Sequence, residues 1–317
     1  MKVLIAVAVT LALPVFLDGL QLGIYVLAGL AAMVTVGLSL LMGQAGQISL
    51  GQASFYAIGA YTAGLLSVHG TPPVLGLVAA PVTAAAFAAV VGVGVLRLRG
   101  HYLAFATLAM QLILLSVLAQ STWAGGAIGL QGIPRLSIGG FELEEDIQYA
   151  YLTWAGLALV LFVAHNLVRS RPGRGLRALA TSEVAAAASG VPVGRYRLTV
   201  FTLSAAFAGL AGGIYAFYLG YLGPGSFPVL LSIEYVVMAV VGGLGTLSGG
   251  VVGAVVIVLL VQVLNELGTG PGMPSYAPSV LSYAVYGLLL VVVVLWLPRG
   301  IVPALRGVRG VRGKERT

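Results

Sequence analysis

The sequence predicts an all-α protein, a polytopic transmembrane bundle of about ten helices with broken or re-entrant segments. Three observations predict it. Hydrophobic residues make up 59% of the 317 positions and charged residues only 8%. Mean hydropathy is +1.05. The apolar residues also gather into runs close to the roughly 20 residues that one bilayer crossing takes. Such a composition cannot build a water-facing surface. In lipid every backbone polar group must bond inside the protein, so long apolar runs become helices. A spanning β-barrel would alternate apolar and polar positions, and residues 251–263 do not.

The runs cover residues 3–17, 22–42, 53–68, 74–96, 102–120, 149–167, 198–219, 233–243, 250–264 and 280–297. Several fall short of a full span and read as tilted, broken or re-entrant. The first follows Lys2 and resembles a signal peptide, but no small-x-small cleavage site follows it at residues 16–21, so it reads as a retained helix. The whole chain, 1–317, reads as one membrane domain, with a long loop at about residues 168–198 and no room for a separate soluble domain.

Charge orients the bundle. If an even number of passes starts and ends inside, then Lys2, Arg97, Arg99, the arginines from Arg169 to Arg197 and the tail from Arg299 to Arg316 all lie on the inner side. Of the 16 basic residues only Arg135 lies outside. Asp18, Glu142, Glu144, Glu145, Asp146 and Glu266 fall on the outer face. The net charge of +7 is therefore accounted for by membrane orientation and does not call for nucleic acid. Both chain termini are expected in the cytoplasm, in a multi-pass protein of the plasma (inner) membrane.

Two glycine-rich breaks interrupt the apolar pattern. Gly43-Gln-Ala-Gly-Gln-Ile-Ser-Leu-Gly-Gln-Ala-Ser-Phe-Tyr56 places glycines and amides where a plain hairpin needs fewer. Such groups are tolerated at membrane depth where backbone lines a cavity or is buried in protein, so Gln44, Gln47, Ser49, Gln52, Tyr56 and Tyr61 are candidate pathway residues. A tight turn with satisfied amides is the alternative. The second break, Gly242-Gly-Leu-Gly-Thr-Leu-Ser-Gly-Gly250, echoes the first and hints at an internal duplication, with Gly243, Gly245 and Gly249 as turn or packing residues. Between the breaks, Ser204, Ala208 and Gly212 form one small-residue row and Ala205, Gly209 and Gly213 another, which reads as a helix contact surface.

The inner loop holds a helical passage, residues 177–189. Thr181 or Ser182 can cap the helix start, Glu183 suits the positive end of its dipole, and Gly190 suits a left-handed C-cap. A short alanine-rich helix buries little by itself, so it reads as a surface that docks on something else. The alternative is that the arginines only hold the loop inside.

Chemistry is mostly excluded. Zero cysteines remove disulfides and thiolate chemistry. Lysine occurs only at positions 2 and 314, so no phosphate-binding loop of the G-x-x-x-x-G-K type exists. His69, His101 and His165 are scattered at run ends and no catalytic triad stands out; Glu234 and Glu266 are the acidic groups near membrane depth, open to an interfacial or an intramembrane functional reading, with their helix-end positions weakening the latter. No catalytic residue, metal ligand or cofactor is expected.

Five segments in order resemble one family. They are residues 46–61, Leu96-Arg-Leu-Arg-Gly-His-Tyr-Leu-Ala104, Gly173-Arg-Gly-Leu-Arg-Ala178, Ser204-Ala-Ala-Phe-Ala-Gly-Leu-Ala-Gly212 and Gly242-Gly-Leu-Gly-Thr-Leu-Ser-Gly249. Together they resemble the permease subunits of ABC importers for branched-chain amino acids, specifically the second of the paired permeases, over most of the chain. The resemblance implies a transport subunit, not an enzyme, that forms half of a path for leucine, isoleucine or valine. Urea or short amides are the alternative cargo. It implies a sister permease, two cytoplasmic ABC ATPase subunits and an extracytoplasmic substrate-binding protein as partners, with the lipid bilayer around them. It also implies that residues 183–190 are the helix that couples to the ATPases, with Arg177, Glu183, Ala187 and Gly190 as coupling residues. Family members usually carry an amide or acidic residue after that glutamate, where this chain has Ala185-Ala-Ala-Ala188. A stand-alone ion-coupled secondary transporter is the contrasting class, and it would need buried carboxylates that this chain largely lacks.

Overall fold

The run predicted at 22–42 is a longer helix, α1 (Gly19–Ala45), whose two ends are set by local chemistry. Asp18 and Gln21 form a capping box at its start, and Gly46, at φ 63°, ends it in the left-handed region that only glycine enters at little cost. The remaining helices follow in chain order. They are α2 (Gln52–Val68), α3 (Pro73–Val95), α4 (His101–Gln120), α5 (Asp146–Arg169), α6 (Arg171–Thr181), α7 (Glu183–Ala188), α8 (Val193–Leu219), α9 (Val229–Gly242) and α10 (Leu247–Gly268). The computed structural model describes residues 10–98, 100–268, 284, 287–288 and 300–304. Most of the predicted runs at 3–17 and 280–297, and the basic tail beyond 304, lie outside the described residues.

Seven helical segments among the described residues are long and apolar enough to cross a bilayer. This is the all-α polytopic bundle the composition requires. The only regular departure described is a hairpin of β1 (Ser137–Ile138) and β2 (Phe141–Glu142) in the long loop before α5, turning on Gly139 and Gly140.

α1 and α8 form the centre. About 78% and 72% of their most apolar stretches are buried, against 22–28% for α3, α4 and α5, whose outward residues such as Val82, Phe105 and Phe162 are exposed. α1 and α8 run antiparallel, since Gly23 meets Tyr218 while Gly37 meets Ser204. Apolar side chains gain little by leaving lipid for one another, so close backbone approach has to hold such helices together. The two small-residue rows of α8 provide it on two sides. A β-carbon on Gly212 would strike the carbonyl of Tyr56 in α2, and one on Gly209 or Gly213 would strike Ala84 or Ala80 in α3. Helix pairing thus follows the sequence rows residue by residue.

The connections alternate between two ends of the bundle. One end carries Arg97, Arg169, Arg171, Arg174, Arg177, Arg195 and Arg197; the other carries Asp18, Glu142, Glu144, Glu145 and Asp146, with Arg135 among them. The predicted sorting of charge to opposite ends is therefore present in the fold.

Candidate functional site

α2 and α9 are the short helices of the bundle, at 17 and 14 residues. Neither starts at an end of it. The Gln52 side-chain amide donates to the Ser204 hydroxyl at 3.1 Å, and Ser204 lies 11 residues (204 − 193) beyond the start of α8, about 16 Å along it at 1.5 Å per residue. Residues 46–51 therefore leave the basic end of α1 and climb back into the bundle before α2 begins. From the opposite end, residues 223–228 descend beside α2 and deliver the start of α9 to the same level. There the Ala53 amide of α2 donates to the Ser232 hydroxyl of α9 at 2.9 Å.

Two half-length passes thus begin inside the protein, where their first N–H groups and the preceding carbonyls need partners that water supplies elsewhere. α4 provides several of them. Thr107 accepts from the Leu50 amide at 2.9 Å. The Gln111 amide donates to the Pro228 carbonyl at 3.2 Å and, more weakly, to that of Phe227 at 3.5 Å. Its own carbonyl accepts from Ser232 at 2.6 Å. Ser49 accepts weakly from the Gly51 amide at 3.4 Å. All of Ser49, Gln52, Thr107, Gln111, Ser204 and Ser232 are buried, so a polar seam crosses an otherwise apolar bundle.

Of the predicted pathway residues, Gln47 and Ser49 lie in the segment that climbs back into the bundle, Gln52, Tyr56 and Tyr61 follow along α2, and all five are buried. Gln47 is buried and neither its amide nitrogen nor its amide oxygen has a hydrogen-bond partner; the Gln52 oxygen is likewise unpartnered. Tyr56 stacks among Tyr215, Phe227 and Tyr235 at centroid separations of 5.3, 5.7 and 6.3 Å. Tyr61 lies 6.0 Å from Phe227, and its hydroxyl reaches the Leu222 carbonyl at 3.5 Å. Gln44 is elsewhere. It sits at the basic end and donates to the Gly245 carbonyl at 2.9 Å.

That contact joins the two glycine-rich breaks. Gly43 and Gly245 approach too closely for a side chain on the former, and Gly242, Gly249 and Gly253 let α9 and α10 turn back on one another. Gly243 and Gly245 both have positive φ.

Sequence reasoning missed Thr107, Gln111 and Ser232, and read Ser204 only as part of a packing row. Gln111 carried a signal, being an amide in the middle of an apolar run, where a polar group requires a partner. Glu234, two residues past Ser232, lies near the level of the α2 start, because α9 begins inside the bundle.

The second site is the 170–192 connection. The helical passage over 177–189 consists of two helices, α6 and α7, parted at Ser182, one of the two residues read from the sequence as capping a helix start; its backbone is extended there. The reason is local, since the Ser182 hydroxyl accepts from the Ala185 amide and restarts the helix as its N-cap. α6 is held to the bundle by Arg177, which donates to the Val168 carbonyl at 3.1 Å. α7 is nearly all surface. Val184 is 81% exposed, Ala187 is exposed, and only Ala186 is buried. Gly190, at φ 79°, turns the chain back toward α8. Glu183 grips Arg197 with both oxygens, at 3.1 and 3.0 Å.

The sequence between residues 20 and 294 matches the family model described as branched-chain amino acid transport system / permease component. The chain belongs to this family. It is 33% identical to the high-affinity branched-chain amino acid transport system permease protein LivM of Salmonella typhimurium over 89% of this chain and 68% of that one. The Escherichia coli K12 protein of the same name is 32% identical with the same coverage. The ribose import permease protein RbsC of Escherichia coli K12 is 30% identical over 84% of each chain. No solved structure matches. As a permease the chain is a membrane transport subunit and not a catalytic enzyme. Among the described residues no cluster of three or more histidine or carboxylate groups is placed to hold a metal ion.

Proposed function

We propose that this permease forms half of the membrane path of an ATP-driven importer for the branched-chain amino acids leucine, isoleucine and valine. The observation that carries the reading is the 33% identity to LivM over 89% of the chain. The geometry supports it. Two helices that start within the bundle, with buried amides and hydroxyls between them, form the kind of discontinuity at which transporters handle polar solutes. Gln47, Ser49, Gln52, Tyr56 and Tyr61 line or support that passage, whereas Gln44 latches the breaks together at the inner end.

The basic end faces the cytoplasm of the inner membrane, with both termini there. α7 then projects toward two ATPase subunits, and its exposed Val184 and Ala187 with the Gly190 turn form the docking surface. Arg177 and Glu183 hold that surface in place. A sister permease completes the path, and a binding protein delivers the amino acid to the acidic end.

The test is uptake of labelled leucine by cells carrying the full transporter with and without this chain, before and after ATP depletion. Chain-dependent leucine uptake that collapses without ATP supports the reading. Uptake that survives ATP loss and follows an ion gradient overturns it, and the ATP-dependent pattern with ribose or urea in place of leucine changes the cargo.

A further inference from the structure

α7 has six residues, too few to hold an orientation by its own hydrogen bonds. Ser182 caps its start and the Val191 amide closes its end on the Ala186 carbonyl at 3.0 Å, but both contacts are local and fix only its shape. Its direction relative to the bundle depends on what reaches across to another element. Besides the buried Ala186, that contact includes the bidentate pair of Glu183 with Arg197 in the second turn of α8. The arginine and glutamate side chains are 17% and 28% exposed. A planar guanidinium held by both carboxylate oxygens sets an angle as well as a distance.

Arg197 sits on an informative stripe of α8. Residues at spacings of three, four and seven share one face of a helix, and from Arg197 that face runs through Phe201, Ser204, Ala208 and Gly212. Phe201 packs edge-on against Phe55 of α2 at 5.4 Å. Ser204 receives the Gln52 amide, and Gly212 lies against the Tyr56 backbone. One edge of one rigid helix therefore carries the projecting helix at its lower end and the re-entrant start of α2 about 10 Å higher, seven residues (204 − 197) at 1.5 Å each.

We infer that the Glu183–Arg197 pair is the strut that transmits displacement of α7 to α8 and so to the α2 break, with Arg197 a positioning residue for transport. The inference rests on the proposed docking of α7 on an ATPase. A partly exposed ion pair stabilises a fold by only about 0–1 kcal/mol, so the pair's value lies in the angle it holds. Lysine at 197 would keep the charge and lose the fork.

The experiment uses the complete importer in proteoliposomes, measuring leucine uptake and ATP hydrolysis together, with Ala187→Cys cross-linking to the ATPase as a separate readout. Arg197→Glu is expected to lower uptake per ATP hydrolysed about tenfold while the cross-link still forms, Arg197→Lys to give an intermediate loss, and Glu183→Arg with Arg197→Glu to recover to within about threefold of the unaltered protein. A merely structural role would lower assembled protein and leave uptake per ATP unchanged. If Arg197→Glu does not reach the membrane, Arg197→Lys decides by the same ratio. Unchanged uptake per ATP in a cross-linking variant, or a charge swap no better than either single change, would sink the strut and leave docking intact. Failure of Ala187→Cys to cross-link in the otherwise unaltered importer removes the docking itself, and the strut with it.

Discussion

The Ser232 hydroxyl donates to the Gln111 carbonyl at 2.6 Å while accepting the Ala53 amide at 2.9 Å, so a single side chain joins three helices at the point where two of them begin. Ser232→Ala leaves a buried N–H and a buried amide oxygen without partners, each worth about 1–3 kcal/mol when orphaned. The purified permease is expected to melt earlier in detergent, and leucine uptake to fall with it. Ser232→Thr keeps the hydroxyl and should retain most of both. A melting curve for Ser232→Ala that overlays the parent would show that water or rearrangement replaces this bond.

The α2–α8 contact gives a second prediction with its own control. A β-carbon at Gly59 would collide with the Gly209 carbonyl, whereas one at Gly94 meets nothing. Gly59→Val should push the helices apart, at about 1–3 kcal/mol or more for overpacking, and reduce assembled permease in membranes. Gly94→Ala should be neutral or slightly stabilising, since alanine is favoured over glycine in a helix by up to about 1 kcal/mol. Equal yields of the two variants would mean that the contact is not tight.

These two sites differ in how legible they are from sequence. The row containing Gly209 can be read directly, because small residues at helical spacing in an apolar run have few uses besides close packing. The breaks at 43–54 and 242–250 are legible for a similar reason, since glycines and amides disrupt the apolar pattern. Ser232 is not legible. Its partners Gln111 and Ala53 are 121 and 179 residues away in the chain, and no local pattern announces that α9 starts inside the bundle, so residues 223–232 read as an outer loop. Ser182 lies between these cases. Its capping chemistry is legible as a choice between Thr181 and Ser182, and the extended backbone at Ser182 decides which of the two starts the helix.

Val184 offers a test of docking that leaves the bundle alone. It is 81% exposed at the tip of the projecting helix, so Val184→Asp removes no packing, and substitutions at such sites usually change stability by less than about 0.5 kcal/mol. Thermal stability of the isolated permease should be unchanged while co-purification of the ATPase subunits drops. Normal co-purification and normal uptake together would place the ATPase contact elsewhere on the basic end.

Gln47 separates stability from transport most sharply. Its side chain is buried with both amide atoms unpartnered, an arrangement that disfavours the folded state by about 1–3 kcal/mol relative to a satisfied or apolar replacement. Gln47→Leu has similar size and no polar group to satisfy, so the permease is expected to become more resistant to thermal unfolding. If the amide serves a polar solute or a reorganised backbone during transport, the same variant must lose uptake, at least about fivefold for one hydrogen bond of roughly 1 kcal/mol. Higher stability with lower uptake assigns Gln47 to the path. Higher stability with unchanged uptake makes it a tolerated defect of packing, and lower stability shows that the amide has a partner in the membrane, most simply an ordered water.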